Sequence, residues 1–72
     1  MILTIEYNSK GVVEITCDTS GVDFLMKKLE SLKKHGGHDH FATPAWAENE
    51  LTENRFNLEN SLINQLNITL KS

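Results

Sequence analysis

Cysteine, proline, tryptophan and tyrosine each occur once in these 72 residues, and glycine only four times. A single cysteine excludes an internal disulfide, and with it the stapled scaffolds by which short extracellular domains make up for a small core. No run approaches the ~18 apolar residues of a membrane span. The opening Met1-Ile2-Leu3-Thr4-Ile5-Glu6 lacks the basic start and long apolar stretch of a secretory signal, so the expected location is cytoplasmic. Basic residues are also few: seven Lys and Arg stand against ten Asp and Glu, a net charge of −3. Such a balance suits neither a phosphate backbone nor an anionic membrane surface. The length allows one domain spanning residues 1–72 and a thin core, because a chain this short buries only ~60% of its unfolded surface. Few enzyme scaffolds with a deep cleft fit that size.

What is present is patterned. Residues 2–7 and 12–18 alternate: Leu3, Ile5 and Tyr7 on one face of the first run, Val13, Ile15 and Cys17 on one face of the second. Period-two alternation with β-branched residues marks half-buried strands, and Asn8-Ser9-Lys10-Gly11 between them suits a tight antiparallel connection. A helix over about 21–35 follows. Ser20 is the expected N-cap with Asp23 answering it, and Gly36-Gly37 ends the element. Val22, Leu25, Met26, Leu29 and Leu32 draw its apolar stripe. Phe24 departs from that stripe, lying about 160° from both Val22 and Met26 at 100° per residue. It either packs at the sheet edge or stands as an exposed aromatic for a partner.

The second half is more polar. Residues 38–42 read as a strand with His38, His40 and Ala42 on one face and Asp39 and Phe41 on the other. Thr43-Pro44 stops regular pairing, and residues 45–54 read as a loop anchored by Trp46 and Leu51. Leu66, Ile68 and Leu70 alternate at the end of a last strand over 62–70, with a helix through Leu58, Leu62 and Leu66 as the competitor. The expected fold is α+β, in the order β-β-α-β-β: one mainly antiparallel four-stranded sheet with a single helix packed on one face. Its core comprises Leu3, Ile5, Tyr7, Val13, Ile15, Cys17, Val22, Leu25, Met26, Leu29, Leu32, Phe41, Leu66, Ile68 and Leu70. The other sheet face would have only loop cover, and a homodimer through it is one expectation.

Chemistry is sparse. His38 and His40, two apart on a strand, share a face and are candidate metal ligands with His35 as a third. Structural zinc sites need four ligands and catalytic ones usually three, however, and no second cluster completes the set. Structural or adventitious histidines are the favoured reading, so no metal or other cofactor is expected. Cys17 alternates with Val13 and Ile15 and reads as a small core residue with no base beside it. The carboxylate pairs Glu48/Glu50 and Glu50/Glu53 lie in the polar loop with nothing apolar to separate their acidities. Gly36-Gly37 follows a helix where a phosphate loop would precede one. No catalytic residue is expected, and the chain reads as a non-enzyme.

The segment Gly37-His38-Asp39-His40-Phe41-Ala42-Thr43-Pro44-Ala45-Trp46, followed by Glu50-Leu51-Thr52-Glu53, resembles a stretch of small bacterial proteins grouped as the immunity protein 32 family of polymorphic toxin systems. The resemblance spans nearly the whole chain, although Ala47-Glu48 stands where relatives tend to have a glycine pair. It implies a protein that binds and neutralises a toxin made by the same cell. Charge agrees in sign: residues 1–18 sum to −2, residues 19–40 to +1, and residues 41–72 to −2, with Glu48, Glu50, Glu53 and Glu59 against Arg55 and Lys71. Many toxins of this kind carry basic active sites, which an acidic surface complements. The candidate partner surface is therefore Phe24, His38, His40, Trp46, Glu48, Glu50 and Glu53. The alternatives are a metal- or ligand-binding module using His38 and His40, an oligomeric accessory domain, or a motif that merely pins a loop.

Overall fold

A computed structural model describes residues 1–71. Strands β1 (Leu3–Tyr7) and β2 (Val13–Cys17) form the expected antiparallel hairpin, with Leu3 opposite Cys17 and Tyr7 opposite Val13. Asn8 closes the turn. Its carboxamide oxygen accepts from Lys10 N and Val12 N, and Gly11 takes the left-handed conformation at φ 86°.

Helix α1 (Thr19–His35) begins two residues earlier than the spacing suggests, because Asp18 and not Ser20 is its N-cap. Asp18 Oδ1 accepts from Gly21 N at 2.8 Å and from Ile2 N at 2.9 Å. One carboxylate therefore caps the helix and ties down the start of the hairpin, which the Ser20 hydroxyl, already inside the first turn, has no means of doing. Those two amides, Ile2 first, hold the Asp18 carboxyl below its ordinary value. Gly21 rests on the Ile2 carbonyl so closely that an added Cβ would lie 1.9 Å from its oxygen. The helix ends as expected, with Gly36 N donating to Leu32 O at 2.8 Å.

Strand β3 (His38–Ala42) follows, then a 3-10 turn at Pro44–Trp46, then β4 (Ser61–Leu62) and β5 (Gln65–Thr69). The helical alternative for the last segment is not adopted. Nor is there a single four-stranded sheet: β2, β1 and β4 form one sheet, and β3 with β5 form a second. The break lies at Ile63-Asn64, where the final strand changes partner. Ile63 N still donates to Ile5 O on β1, while Asn64 O accepts from Thr43 N beyond the end of β3. Between the two sheets, Thr52 N bonds Leu3 O and Leu51 N bonds Ala42 O, so the loop supplies the pairing that a continuous sheet would have provided.

Leu3, Ile5, Phe41 and Leu51 form the buried centre, with Cys17, Phe24, Ile63, Leu66 and Ile68 packed against it. Seven residues expected inside are exposed: Tyr7, Val13, Ile15, Val22, Met26, Leu29 and Leu70. One helix about 10 Å across covers roughly two strands spaced near 4.8 Å, and this one meets β2 at Cys17, beside Gly21, and β3 at Phe41, under the Phe24 ring. Gly21, Leu25, Lys28 and Leu32, within about 60° of one another on the wheel, make up its covered line, and Phe24 flanks them on one side. Leu29, Val22 and Met26 lie on the opposite flank, beyond the core, and β2 is left as an edge strand.

The other face of the hairpin is not open. Thr4 is wholly buried and Glu6 is 1% exposed, both under the long loop. Thr4 Oγ1 meets Thr52 Oγ1 at 2.6 Å, and the Glu6 carboxylate accepts from Phe56 N at 3.4 Å and Asn57 N at 3.3 Å. The expected route to a homodimer through this face is closed at these positions.

Candidate functional site

The motif residues fall into two groups once placed. One group builds the structure. Thr43 is fully buried; its hydroxyl donates to Asn64 Oδ1 at 2.7 Å, and its carbonyl accepts from Trp46 N at 2.9 Å and Glu48 N at 3.2 Å. Glu50 turns inward, accepting from Ala42 N and from Asn49 N, each at 3.3 Å. Leu51 sits in the core and Thr52 bridges to β1 through Leu3 N at 3.0 Å. These contacts hold the loop against the end of β3 from both sides of the 3-10 turn. Farther along, Arg55 donates to the carbonyls of Leu58 and Asn60, and Asn60 Nδ2 donates to Glu14 Oε1 at 3.3 Å.

The other group is presented outward. Trp46 is 57% exposed. The expectation that it anchors the loop fails, and the anchoring falls instead to Thr43, Glu50, Leu51 and Thr52. The turn carrying Trp46 is stabilised by Ala47 in the left-handed conformation, φ 66°, with Ala47 N donating to Pro44 O at 3.0 Å. A left-handed Ala at this point makes the same kind of turn that a glycine would make more easily. Glu48 and Glu53 are exposed on either side of the inward-turned Glu50.

His38 and His40 lie on the outer face of β3, as the alternation requires, with Thr69 and Asn67 opposite them on β5. Their rings are 4.8 Å apart, edge to face. His40 Nδ1 is 2.7 Å from Asn67 Oδ1, which also accepts from Gln65 Nε2 at 2.9 Å. Both histidines are exposed, yet His35 does not complete a group with them. Among the described residues no three His, Cys, Asp or Glu side chains come together as a metal would require. His38, His40, Gln65, Asn67 and Thr69 form an exposed polar strip across β3 and β5.

Phe24 leaves the candidate set. It is half-buried, its ring meets Phe41 edge-on at 5.8 Å, and Lys28 Nζ lies 5.5 Å above it. Two open hollows occur elsewhere. One, of about 230 Å³, is lined by Lys27, Glu30, Ser31, Lys34 and His35; the other, of about 320 Å³, lies between the first hairpin turn and residues 57–61. Neither includes Trp46 or the His38/His40 pair. Glu6 and Glu14, which alternation puts on the polar face of each strand, are directly opposed across β1 and β2. No helix among the described residues is long and apolar enough to cross a membrane. No protein-family model, curated protein or solved structure matches this chain.

Proposed function

We propose that this chain is a non-enzymatic protein-binding domain acting in the cytoplasm, and that Trp46 is the centre of its binding surface. The observation that carries the reading is a large aromatic side chain left outside on a turn held by partly buried hydrogen bonds at both ends. A side chain so placed loses little conformational freedom on binding, and tryptophan is among the residues that dominate interface energetics. Glu48 and Glu53, exposed in the same loop, add negative charge that steers a basic partner, and the exposed His38/His40 pair adds polar surface on β3. Phe24 and Glu50, both engaged inside the domain, are not part of this surface.

The resemblance to the immunity protein 32 family supplies the class of partner: a toxin encoded next to this chain, whose basic working surface the Trp46 turn covers. A metal-binding module is the weaker alternative, because its two imidazoles have no third ligand and one is engaged to Asn67. Co-expression with the products of the adjacent genes tests the proposal. The chain is expected to relieve growth arrest caused by one of them, and Trp46→Ala to lose that relief while accumulating to the same level. Equal protection by Trp46→Ala and wild type contradicts it.

A further inference from the structure

The β2 edge carries an inference separate from the Trp46 surface. Among the described residues, β2 has no strand on its outer side. Asn8 N donates to Val12 O and Asp18 N donates to Ile2 O, so residues 12 and 18 turn their backbone groups toward the β1 side. Alternation along the strand then points Glu14 and Thr16 inward and aims the N–H and C=O of Val13, Ile15 and Cys17 away from the sheet. Edge strands are ordinarily protected by lysine, proline, a bulge or a cover. β2 has no lysine, proline or bulge across its five residues, and its single charge, Glu14, lies on the face away from the outward-facing Val13, Ile15 and Cys17.

The side chains agree with the backbone. In the ladder, Val13, Ile15 and Cys17 stand opposite Tyr7, Ile5 and Leu3 and so share the helix side of the sheet. Val13 and Ile15 are more than half exposed, Tyr7 stands opposite Val13 on β1, and Val22, Met26 and Leu29 are exposed along one flank of the helix. Together these six expose on the order of 500 Å², at the upper end of what a monomer leaves uncovered. Doubled across a two-fold axis and enlarged by its polar rim, that surface reaches the ~1,200 Å² at which specific interfaces begin.

We propose that a second copy of this chain docks along β2, extending the sheet antiparallel across a two-fold axis at Ile15 and closing the Val22–Met26–Leu29 flanks of the two helices over the seam. Register selects this axis. Centred on Ile15, Val13 meets Cys17 of the second copy, all three outward-facing residues find backbone partners, and Glu14 faces Thr16. An axis at Glu14 would oppose Glu14 to itself, and one at Thr16 would oppose Glu14 to Asp18, each setting carboxylates against each other.

Sedimentation equilibrium at about 100 µM, a concentration that populates interfaces of this size, is the test. Wild type is expected at twice the single-chain mass of 8.1 kDa. Ile15→Lys, a change at an exposed side chain, is expected at the single-chain mass with an unchanged circular dichroism spectrum. In a Cys17→Ser background, Ile15→Cys is expected to form a covalent dimer on mild oxidation, because paired residues in this register sit about 5.5 Å apart, within disulfide reach. Ser9→Cys in the same background should not cross-link. A wild-type single-chain mass overturns the proposal and leaves the patch to a different protein. So does a dimer that persists in Ile15→Lys, which would place the interface elsewhere.

Discussion

Removing the Glu6 carboxylate should unlatch the long loop. Glu6 is 1% exposed and accepts from the backbone N–H groups of Phe56 and Asn57 at 3.4 and 3.3 Å. Hydrogen bonds to a charged acceptor contribute about 1.5–3 kcal/mol each at good geometry, and these two are long, which places them at the low end. Against them stands relief of the direct opposition between Glu6 and Glu14, worth up to about 1 kcal/mol. Glu6→Ala should therefore destabilise by about 2–3 kcal/mol. Glu6→Gln, which keeps one acceptor and turns an amide donor toward the other N–H, should cost about 1–2 kcal/mol. A domain of this length has roughly 4–10 kcal/mol in all, so the alanine variant should melt some 10–25 °C lower. Urea and thermal denaturation give the magnitudes, and native-state hydrogen exchange should show protection lost first at Phe56 and Asn57. If both variants unfold within about 0.5 kcal/mol of wild type, the carboxylate does not hold the loop.

Other consequences are equally open to measurement. Gly21→Ala, which ordinarily favours a helix by about 0.5–1 kcal/mol, should instead destabilise, because the new Cβ would meet the Ile2 carbonyl at 1.9 Å; a higher melting temperature would show that the approach relaxes freely. Leu51→Ala should cost about 2–4 kcal/mol by urea denaturation, as for any fully buried leucine, whereas Trp46→Ala should change stability by less than about 0.5 kcal/mol. Asp18 contributes stability that is complete above its ordinary value of about 3.9 and is lost as pH falls through its lower folded value. Urea midpoints should therefore fall below about pH 4, and fall less steeply in Asp18→Asn; parallel curves would show that the cap does not depend on the charge.

The hairpin, the helix and β3 are legible in the sequence because each rests on local chemistry: alternation, a glycine stop, a turn built on Asn8. The failures share a cause in tertiary geometry. Ser20 and Asp18 are both good caps, and only the nearness of Ile2 decides between them. Thr4 and Glu6 look solvent-facing by alternation and are buried because a loop distant in sequence supplies amides for them. Val13, Ile15, Val22 and Met26 look like core, but the width of one helix leaves them outside. The final strand breaks at Ile63-Asn64 through the hydrogen bond from buried Thr43 to Asn64, which no periodicity announces. The site shows the same division. The face shared by His38 and His40 follows from spacing alone. The exchange of roles between Trp46, expected as anchor and found exposed, and Glu50, expected at the surface and found turned inward, depends on which groups reach Ala42.

Calorimetric titration of the purified chain into the toxin encoded beside it, for wild type, Trp46→Ala and the double charge reversal Glu48→Lys, Glu53→Lys, tests the functional account most directly. Wild type should bind. Trp46→Ala should weaken binding by about 2 kcal/mol or more, roughly thirtyfold, at unchanged stability. The charge reversal should also weaken binding, and more at low salt than at high salt. Affinity unaltered in both variants would contradict the claim that the Trp46 turn is the surface through which this protein works.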